Sequence, residues 1–136
     1  MEIKLLQIRE AKGESVGSPE ELVKLMAGEG KLDREAFWTI HLNSNNQIIE
    51  KELVSLRILN LSVVHPREVF KKAIVNGDKS IITVHNHPSG NLSPSSEDMG
   101  IWKRLHEAGE IIGIEVLDNI IIIPSGQYYS EKSGKG

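Results

Sequence analysis

The chain has 136 residues, of which 39% are apolar and 26% are charged, and its formal net charge is −3 at pH 7. This length fits one globular domain with a real apolar core and leaves little room for a second. No apolar run approaches the roughly 20 residues of a membrane-spanning helix. The N-terminus lacks a secretory signal, so a cytoplasmic location is expected. Cysteine is absent, which excludes disulfides and thiolate chemistry, and the acidic balance makes nucleic acid an unexpected partner.

Helices and strands are both predicted along the chain. Ser18 and Pro19, with Glu21 three residues after the serine, form the start signal of a helix that precedes Gly28. The run Asn-Ser-Asn-Asn at 43–46 predicts a hairpin turn. In chain order the predictions are a helix over 19–27, strands over 36–42 and 47–54, an extended stretch over 57–64, a helix from Pro66 that ends before Gly77, a strand over 79–84, a helix from Pro94 to Ala108 ended by Gly109, and one or two strands over 111–123.

This order of elements predicts a mixed α/β domain in which a curved mixed β-sheet is flanked by helices. We expect a single domain over residues 1–136, because no repeat and no linker rich in Gly, Ser or Pro divides the chain. Within it, residues 1–30 are expected to form an N-terminal extension and helix. Residues 130–136 are expected to form a frayed tail.

A metal site is predicted in the segment that begins at His85. His85 and His87 are two residues apart at the end of a predicted strand, so their imidazoles point to the same face. Pro88 and Gly90 end the strand, and Asp98 falls in the first or second turn of the next helix, where it can face the same point. Two neutral imidazoles and one carboxylate leave a tetrahedral position open for water, which is the pattern of a catalytic zinc site.

Each of these residues alone also has an ordinary structural explanation. A strand histidine is more often a polar surface or core residue than a ligand, and Asp98 could simply add favourable charge near a helix N-terminus. Ser93 and Ser95 could be capping residues only. The whole string differs, because His-x-His-Pro, six residues and then Ser-x-x-Asp fix the residue type at five positions with set spacings. Its assembly by chance between a strand and a helix is improbable.

The string HNHPSGNLSPSSED resembles the JAMM (MPN-plus) motif of zinc metallopeptidases. With HPREVFKKAI before it and IEVLDNIIII after it, the chain is similar to the RadC-like branch of that family over roughly Glu35 to Ser130. The resemblance implies a cytidine-deaminase-like α-β-α layered fold and a bound zinc ion. It also implies hydrolysis of peptide or isopeptide bonds.

The resemblance further implies roles for individual residues of this sequence. The zinc ligands would be His85, His87 and Asp98, and the catalytic residues would be Ser95 and Glu35. Ser95 would help to polarise the scissile carbonyl, and Glu35 would act as general base from the start of a strand. Glu50 and Glu52 on the next predicted strand are the alternative candidates for the base.

The chain departs from the RadC-like pattern at two places. The stretch SLRILNLS lacks the Gly-Thr pair that is common before the HPREV helix, and Asn119 stands where histidine usually follows Leu-Asp. Neither departure removes a ligand, but both could reshape the cleft and its substrate preference. The remaining histidines are interpreted as structural. His41 is taken as a packing residue that could also line the cleft, His65 as a helix boundary, and His106 as part of a polar helix face.

Other classes of function stay open from the sequence. A non-catalytic interaction module of this fold typically lacks zinc ligands, which this sequence keeps. A DNA-repair-associated accessory protein, as the RadC label suggests, should show a basic excess or a helix-hairpin-helix segment, and neither is expected here. The same metal site could also hydrolyse a non-peptide amide. The identity of the substrate and the oligomeric state are not predicted.

Overall fold

The computed structural model describes residues 16–56 and 64–134. None of the helices in these ranges is long and apolar enough to cross a membrane. Residues 57–63 of the predicted extended stretch over 57–64, and with them most of SLRILNLS, lie outside these ranges. The elements are the helices α1 (Pro19–Leu25), α2 (Pro66–Asn76) and α3 (Ser96–Ile112), the 3-10 turn Glu29–Lys31, and the strands β1 (Ala36–Leu42), β2 (Ile48–Leu56), β3 (Ser80–Asn86), β4 (Glu115–Ile122) and β5 (Tyr128–Ser130).

The strands form one sheet in the order β2-β1-β3-β4-β5. β1 pairs antiparallel with both β2 and β3, β3 pairs parallel with β4, and β4 pairs antiparallel with β5. A parallel pair needs a crossover connection, which α3 supplies between β3 and β4. The N-terminus of α3 therefore lies near the end of β3. The expected mixed α/β fold, a mixed sheet flanked by helices, is confirmed.

Because side chains point alternately to the two faces of the sheet, the buried apolar residues form two separate clusters. On one face of the sheet, α2 and α3 pack against buried strand residues that include Phe37 and Ile81. On the other face, α1 contributes Leu22 to a cluster that contains Trp38, and Met26 just after the helix joins it. The helices α2 and α3 thus cover the face of Phe37, and α1 covers the face of Trp38.

The segment between α1 and β1 also contributes a buried ion pair. Glu29 in the 3-10 turn accepts a hydrogen bond from Lys51 Nζ at 3.2 Å. Both side chains are at most 3% exposed. A buried charge without a partner is strongly destabilising. Separation of Glu29 from Lys51 would therefore be costly, so this pair stabilises the contact between the segment before β1 and strand β2.

The end of α3 differs from the prediction. The sequence predicted a helix ended by Gly109 and strands over 111–123, but the helix continues to the residue before Gly113. Gly113 has a left-handed φ of 85° and caps the helix. A Cβ on Gly109 would lie 2.6 Å from the carbonyl oxygen of Ile114. Gly109 thus allows a close backbone approach instead of ending the helix, and the next strand, β4, begins at Glu115.

The predicted frayed tail does not begin at residue 130. Ser130 is fully buried at the end of β5, and its Oγ donates to Asp118 Oδ2 at 2.6 Å. The backbone N–H of Glu131 donates to the carbonyl oxygen of Asn119 at 2.9 Å. Hydrogen bonds to β4 therefore hold the start of the segment that the sequence analysis assigned to the tail.

Candidate metal centre

The two histidines of the HNHP segment lie side by side at the end of β3. His85 is in the strand, and His87 follows its last residue. The backbone N–H of His87 still donates to the carbonyl oxygen of Ile122 at 2.9 Å, which continues the pairing with β4. The ring centroids of His85 and His87 are 4.5 Å apart, with the rings edge to face. The i, i+2 spacing thus brings both imidazoles to one place, as predicted.

Glu35 joins the histidines because β1 runs antiparallel beside β3. Phe37 pairs with His85 across the two strands, and their rings stack at 6.4 Å. Glu35 is two residues before Phe37, so its side chain belongs to the same face. Ligand atoms of Glu35, His85 and His87 all lie within 4.8 Å of one another, in a group that could hold a metal ion.

Asp98 reaches the same place from the first turn of α3. Its Oδ2 lies 3.3 Å from His87 Nε2, and its Oδ1 lies 3.7 Å from His85 Nδ1. Oδ2 also accepts a hydrogen bond from the backbone N–H of Ser95 at 2.8 Å. In return, Ser95 Oγ accepts from the backbone N–H of Asp98 at 3.0 Å. This reciprocal capping box fixes the carboxylate at the helix N-terminus, beside the histidines.

Ser95 is the N-cap residue of α3. Its hydroxyl oxygen accepts the hydrogen bond from Asp98, so the capping role considered for Ser95 in the sequence is present. A serine hydroxyl that accepts a hydrogen bond can still donate its own proton. Capping is therefore compatible with a second role toward a substrate carbonyl.

Burial makes His85 a neutral imidazole with an unused nitrogen. The residue is 2% exposed, and this burial lowers its pKa to about 4. Within the described ranges, His85 Nδ1 is a buried atom with no hydrogen-bond partner. A buried polar atom without a partner is destabilising. A metal ion bound at this nitrogen would satisfy it.

His87 is oriented by a hydrogen bond on the far side of its ring. Its Nδ1 lies 2.7 Å from the carbonyl oxygen of Asn91, and because a carbonyl only accepts, Nδ1 carries the proton. Burial lowers the pKa of His87, but its hydrogen bonds to Asp98 and to the Asn91 carbonyl outweigh burial and raise it. Metal-binding histidines are commonly held in this way at the second ring nitrogen.

The two carboxyl groups of the centre differ in their proton affinity. Burial raises the pKa of Glu35; the charge of His87 opposes this effect and that of Asp98 adds to it. Burial also acts to raise the pKa of Asp98, but hydrogen bonds from His87 and from the Ser95 backbone outweigh it and lower the pKa. Asp98 is thus an ionised carboxylate of the kind that binds metals, and Glu35 is the better proton acceptor.

The alternative bases are engaged elsewhere. Glu50 accepts hydrogen bonds from Lys72 Nζ at 2.6 Å and from Asn76 Nδ2 at 3.3 Å. Glu52 Oε1 is hydrogen-bonded to His41 Nε2 at 2.8 Å. Among the described residues, neither glutamate belongs to the group that could hold a metal ion.

His41 lies in a buried cluster that the sequence analysis did not predict. Its Nδ1 pairs with Asp78 Oδ2, and its Nε2 bonds to Glu52. The side chains of His41 and Asp78 are both fully buried. His41 is therefore a packed core residue, as expected, and its ring nitrogens face carboxylates instead of the cleft.

The other residues singled out in the sequence have structural contacts. His65 immediately precedes α2, as predicted. His106 is partly exposed on α3, and its Nε2 bonds to Glu131 Oε1 at 2.8 Å. Asn119 is buried in β4, where its Oδ1 accepts a hydrogen bond from Thr83 Oγ1 and its Nδ2 donates to Glu131 at 2.8 Å. The asparagine at this position is thus part of a polar cluster with His106.

The mixed sheet flanked by helices, with histidines and carboxylates gathered at the end of β3, defines a domain of the JAB/MPN class. Comparison with known families agrees. Residues 16–135 match the family described as the RadC-like JAB domain, and the chain belongs to that family.

Several curated relatives carry the name UPF0758 protein. One from Finegoldia magna is 49% identical over 109 residues, which are 79% of this chain and 49% of the relative. One from Desulforamulus reducens is 59% identical over 91 residues, 67% of this chain and 40% of the relative. One from Methanosarcina mazei is 46% identical over 118 residues, 86% of this chain and 51% of the relative. The chain thus spans about half the length of these relatives.

Proposed function

We propose that the chain is a zinc-dependent hydrolase of peptide or isopeptide bonds. The observation that carries this proposal is the group at the end of β3, where ligand atoms of Glu35, His85 and His87 lie within 4.8 Å of one another. Carboxylate oxygens of Asp98 lie 3.3 and 3.7 Å from the imidazole nitrogens. Imidazole and carboxylate donors with room for a water are those of catalytic zinc sites.

In this proposal His85, His87 and Asp98 hold the zinc ion. The donor set fits, because His85 is neutral with a buried nitrogen that lacks a partner in the described part of the chain. The bond from His87 Nδ1 to the Asn91 carbonyl leaves Nε2 as the available ligand atom. Bound zinc lowers the pKa of its water toward about 7 and polarises a carbonyl group.

The proton transfers then fall to side chains of this protein. The Glu35 carboxylate accepts a proton from the attacking water and returns it to the nitrogen of the leaving amine. The Ser95 hydroxyl donates toward the oxyanion that develops on the scissile carbonyl. Because His85 and Asp98 are each 2% exposed, little bulk solvent screens the charges at this place.

The first test measures metal content. Purified protein is expected to carry about one zinc ion per chain after dialysis against metal-free buffer. His87→Ala removes a ligand and should lose most of this zinc. His106→Ala is the matched control, because His106 is 43% exposed and bonds to Glu131 outside the centre. Elemental analysis measures the zinc content of the three proteins. Equal zinc in wild type and His87→Ala would contradict the proposal that His87 is a zinc ligand.

The second test separates the base from the third ligand. Glu35→Gln keeps the shape of the side chain and removes the base, so zinc should remain while hydrolysis falls by about 10²–10⁴-fold. Asp98→Asn should instead lose zinc. Hydrolysis of isopeptide bonds is measured with a fluorogenic lysine isopeptide. Hydrolysis of peptide bonds is measured with a proteome-derived peptide mixture, in which mass spectrometry detects the new amino termini that cleavage creates.

The second test has one control variant, and two of its possible outcomes would contradict the assigned roles. Glu50→Gln should keep both zinc and hydrolysis, because Glu50 bonds to Lys72 and Asn76 away from the histidines. Loss of hydrolysis in Glu50→Gln would transfer the role of base to that residue. Loss of zinc from Glu35→Gln but not from Asp98→Asn would exchange the roles of ligand and base.

A further inference from the structure

We propose that Asn86, the residue between the two histidines, is a positioning residue that fixes Glu35 beside the metal centre. Its side-chain amide bonds to the backbone on both sides of Glu35. Oδ1 accepts from the backbone N–H of Ala36 at 2.8 Å, and Nδ2 donates to the carbonyl oxygen of Arg34 at 3.0 Å. The inference rests on the proposed function, because it concerns the general base.

The amide of Asn86 extends the sheet at the point where β1 and β3 stop pairing. The last paired residues on this side are Phe37 and His85. One step further along the antiparallel register, Ala36 stands opposite Asn86. There the side chain of Asn86 accepts the hydrogen bond of Ala36, and it bonds to Arg34 as well. Glu35 is thus enclosed between two anchored neighbours.

The residue type and its burial suit this role. Asn86 is fully buried, so a hydrogen bond lost from either end of its amide would leave a buried polar group without a partner. An ionised aspartate has no donor for the Arg34 carbonyl, whereas the amide of asparagine meets the two backbone groups with two separate atoms, an acceptor and a donor. The chain just before Glu35 is exposed, since the side chains of Asp33 and Arg34 are 83% and 41% accessible. Asn86 therefore supplies the anchor at the entry to β1.

The position of Asn86 in β3 links the base to the ligands. Side chains alternate along a strand, so His85 and His87 share one face, and the residue between them is directed away from it. Residues 85–87 thus include both histidines, and the side chain of Asn86 in the middle of this segment is hydrogen-bonded to residues 34 and 36 on either side of Glu35. Displacement of that segment would move the carboxylate relative to the imidazoles.

The first experiment needs no catalysis. Amide hydrogen exchange of Ala36 is measured by NMR on the full chain without metal, for wild type, Asn86→Ala and Asn43→Ala. Loss of the bond to Asn86 should speed exchange at Ala36 by on the order of tenfold. Asn43 is the matched control, because its side chain likewise makes two hydrogen bonds to the backbone, but at the other end of β1. Both are accepted by Oδ1, at 2.9 and 3.0 Å.

In this first experiment Asn43→Ala should leave Ala36 unchanged. Unchanged exchange at Ala36 in Asn86→Ala would overturn the proposal. If Asn86→Ala does not fold, Asn86→Val replaces it, because valine suits a strand and its side chain has no hydrogen-bonding group.

The second experiment asks whether Asn86 acts through Glu35. With the fluorogenic lysine isopeptide, Asn86→Ala should lower kcat by about 10²-fold, the effect of misplacing a catalytic group by about 1 Å. KM and zinc content should change little. In the Glu35→Gln background the same substitution should lower the residual kcat by less than about threefold, because the two residues act as a unit.

The outcomes of the two experiments are distinguishable. An equal fold-loss of kcat from Asn86→Ala in both backgrounds would show an effect that does not pass through Glu35, and would overturn the proposal. If Glu35→Gln leaves hydrolysis unchanged, the proposed function loses its base. In that case the exchange rate at Ala36 still decides whether Asn86 anchors this segment.

Discussion

Replacement of His41 is expected to flatten the pH dependence of stability on the alkaline side. His41 is fully buried between carboxylates of two other segments, Asp78 after α2 and Glu52 in β2. Burial alone lowers the pKa of the imidazole. The hydrogen bonds and charges of Asp78 and Glu52 outweigh burial and raise this pKa to about 9. The folded protein thus keeps a charged imidazolium at neutral pH.

The size of the effect follows from the pKa values of the two states. The pKa of His41 is about 9 in the folded protein and 6.5 in an unperturbed histidine. A raised folded pKa adds stability that is fully present below pH 6.5 and is lost as the pH rises through 9. At about 1.4 kcal/mol per pH unit, the stability at stake is about 3 kcal/mol.

The assay is urea denaturation of wild type and His41→Asn at about pH 6 and about pH 9.5, on either side of the titration. A chelator is present in every sample, so that metal binding does not contribute to the measured stability. Between the two conditions, wild type should lose about 3 kcal/mol more unfolding free energy than His41→Asn. His41→Asn should start less stable and lose much less over the same interval. Parallel profiles for the two proteins would refute the reasoning.

Two further predictions concern Ser95 and DNA. Ser95→Ala should lower the free energy of unfolding by about 1 kcal/mol through loss of the helix cap, and Ser95→Asp, which can cap, should restore it. Hydrolysis should stay low in both variants because an ionised aspartate has no proton to donate to the oxyanion. Full recovery of hydrolysis in Ser95→Asp would mean that capping is the only role of this side chain. With 16 basic and 19 acidic residues, the chain should bind DNA no more tightly than about 10⁻⁴–10⁻⁶ M at physiological salt. Fluorescence anisotropy with a duplex and a single strand at two salt concentrations measures this, and sub-micromolar salt-dependent binding would favour the accessory-protein alternative.

The sequence was most informative where the geometry is local. The two histidines and Asp98 come from one stretch of 14 residues, HNHPSGNLSPSSED, in which a strand end, a turn and a helix start follow one another. Strand alternation and helix capping were enough to predict that their side chains meet. Glu35 was harder, because its place depends on the register between β1 and β3. Without that register, only the family resemblance favours Glu35 over Glu50 and Glu52, which carry the same carboxyl group on the next strand.

Features that join distant parts of the chain were not predicted. Asn86 and Ala36 are 50 residues apart, and His41 and Asp78 are 37 apart. No periodicity or short motif connects such pairs. The end of α3 was misplaced for a related reason. The sequence favours Gly109 as the helix stop because glycine commonly follows a helix, whereas the contact of Gly109 with the backbone after Gly113 exists only in the folded chain.

Helix α1 and the 3-10 turn make up a small part of the chain, but they cover one side of the sheet. Leu22 and Met26 are buried in the cluster that contains Trp38, and Glu29 neutralises Lys51. A shortened protein that began between the 3-10 turn and Glu35 would keep every residue of the proposed chemistry, yet it would present an apolar surface and an uncompensated lysine to solvent. Such a surface favours self-association. A version of this domain that is expressed alone or fused to another protein therefore has to start before α1, although all of the proposed catalytic and metal-binding residues come after α1.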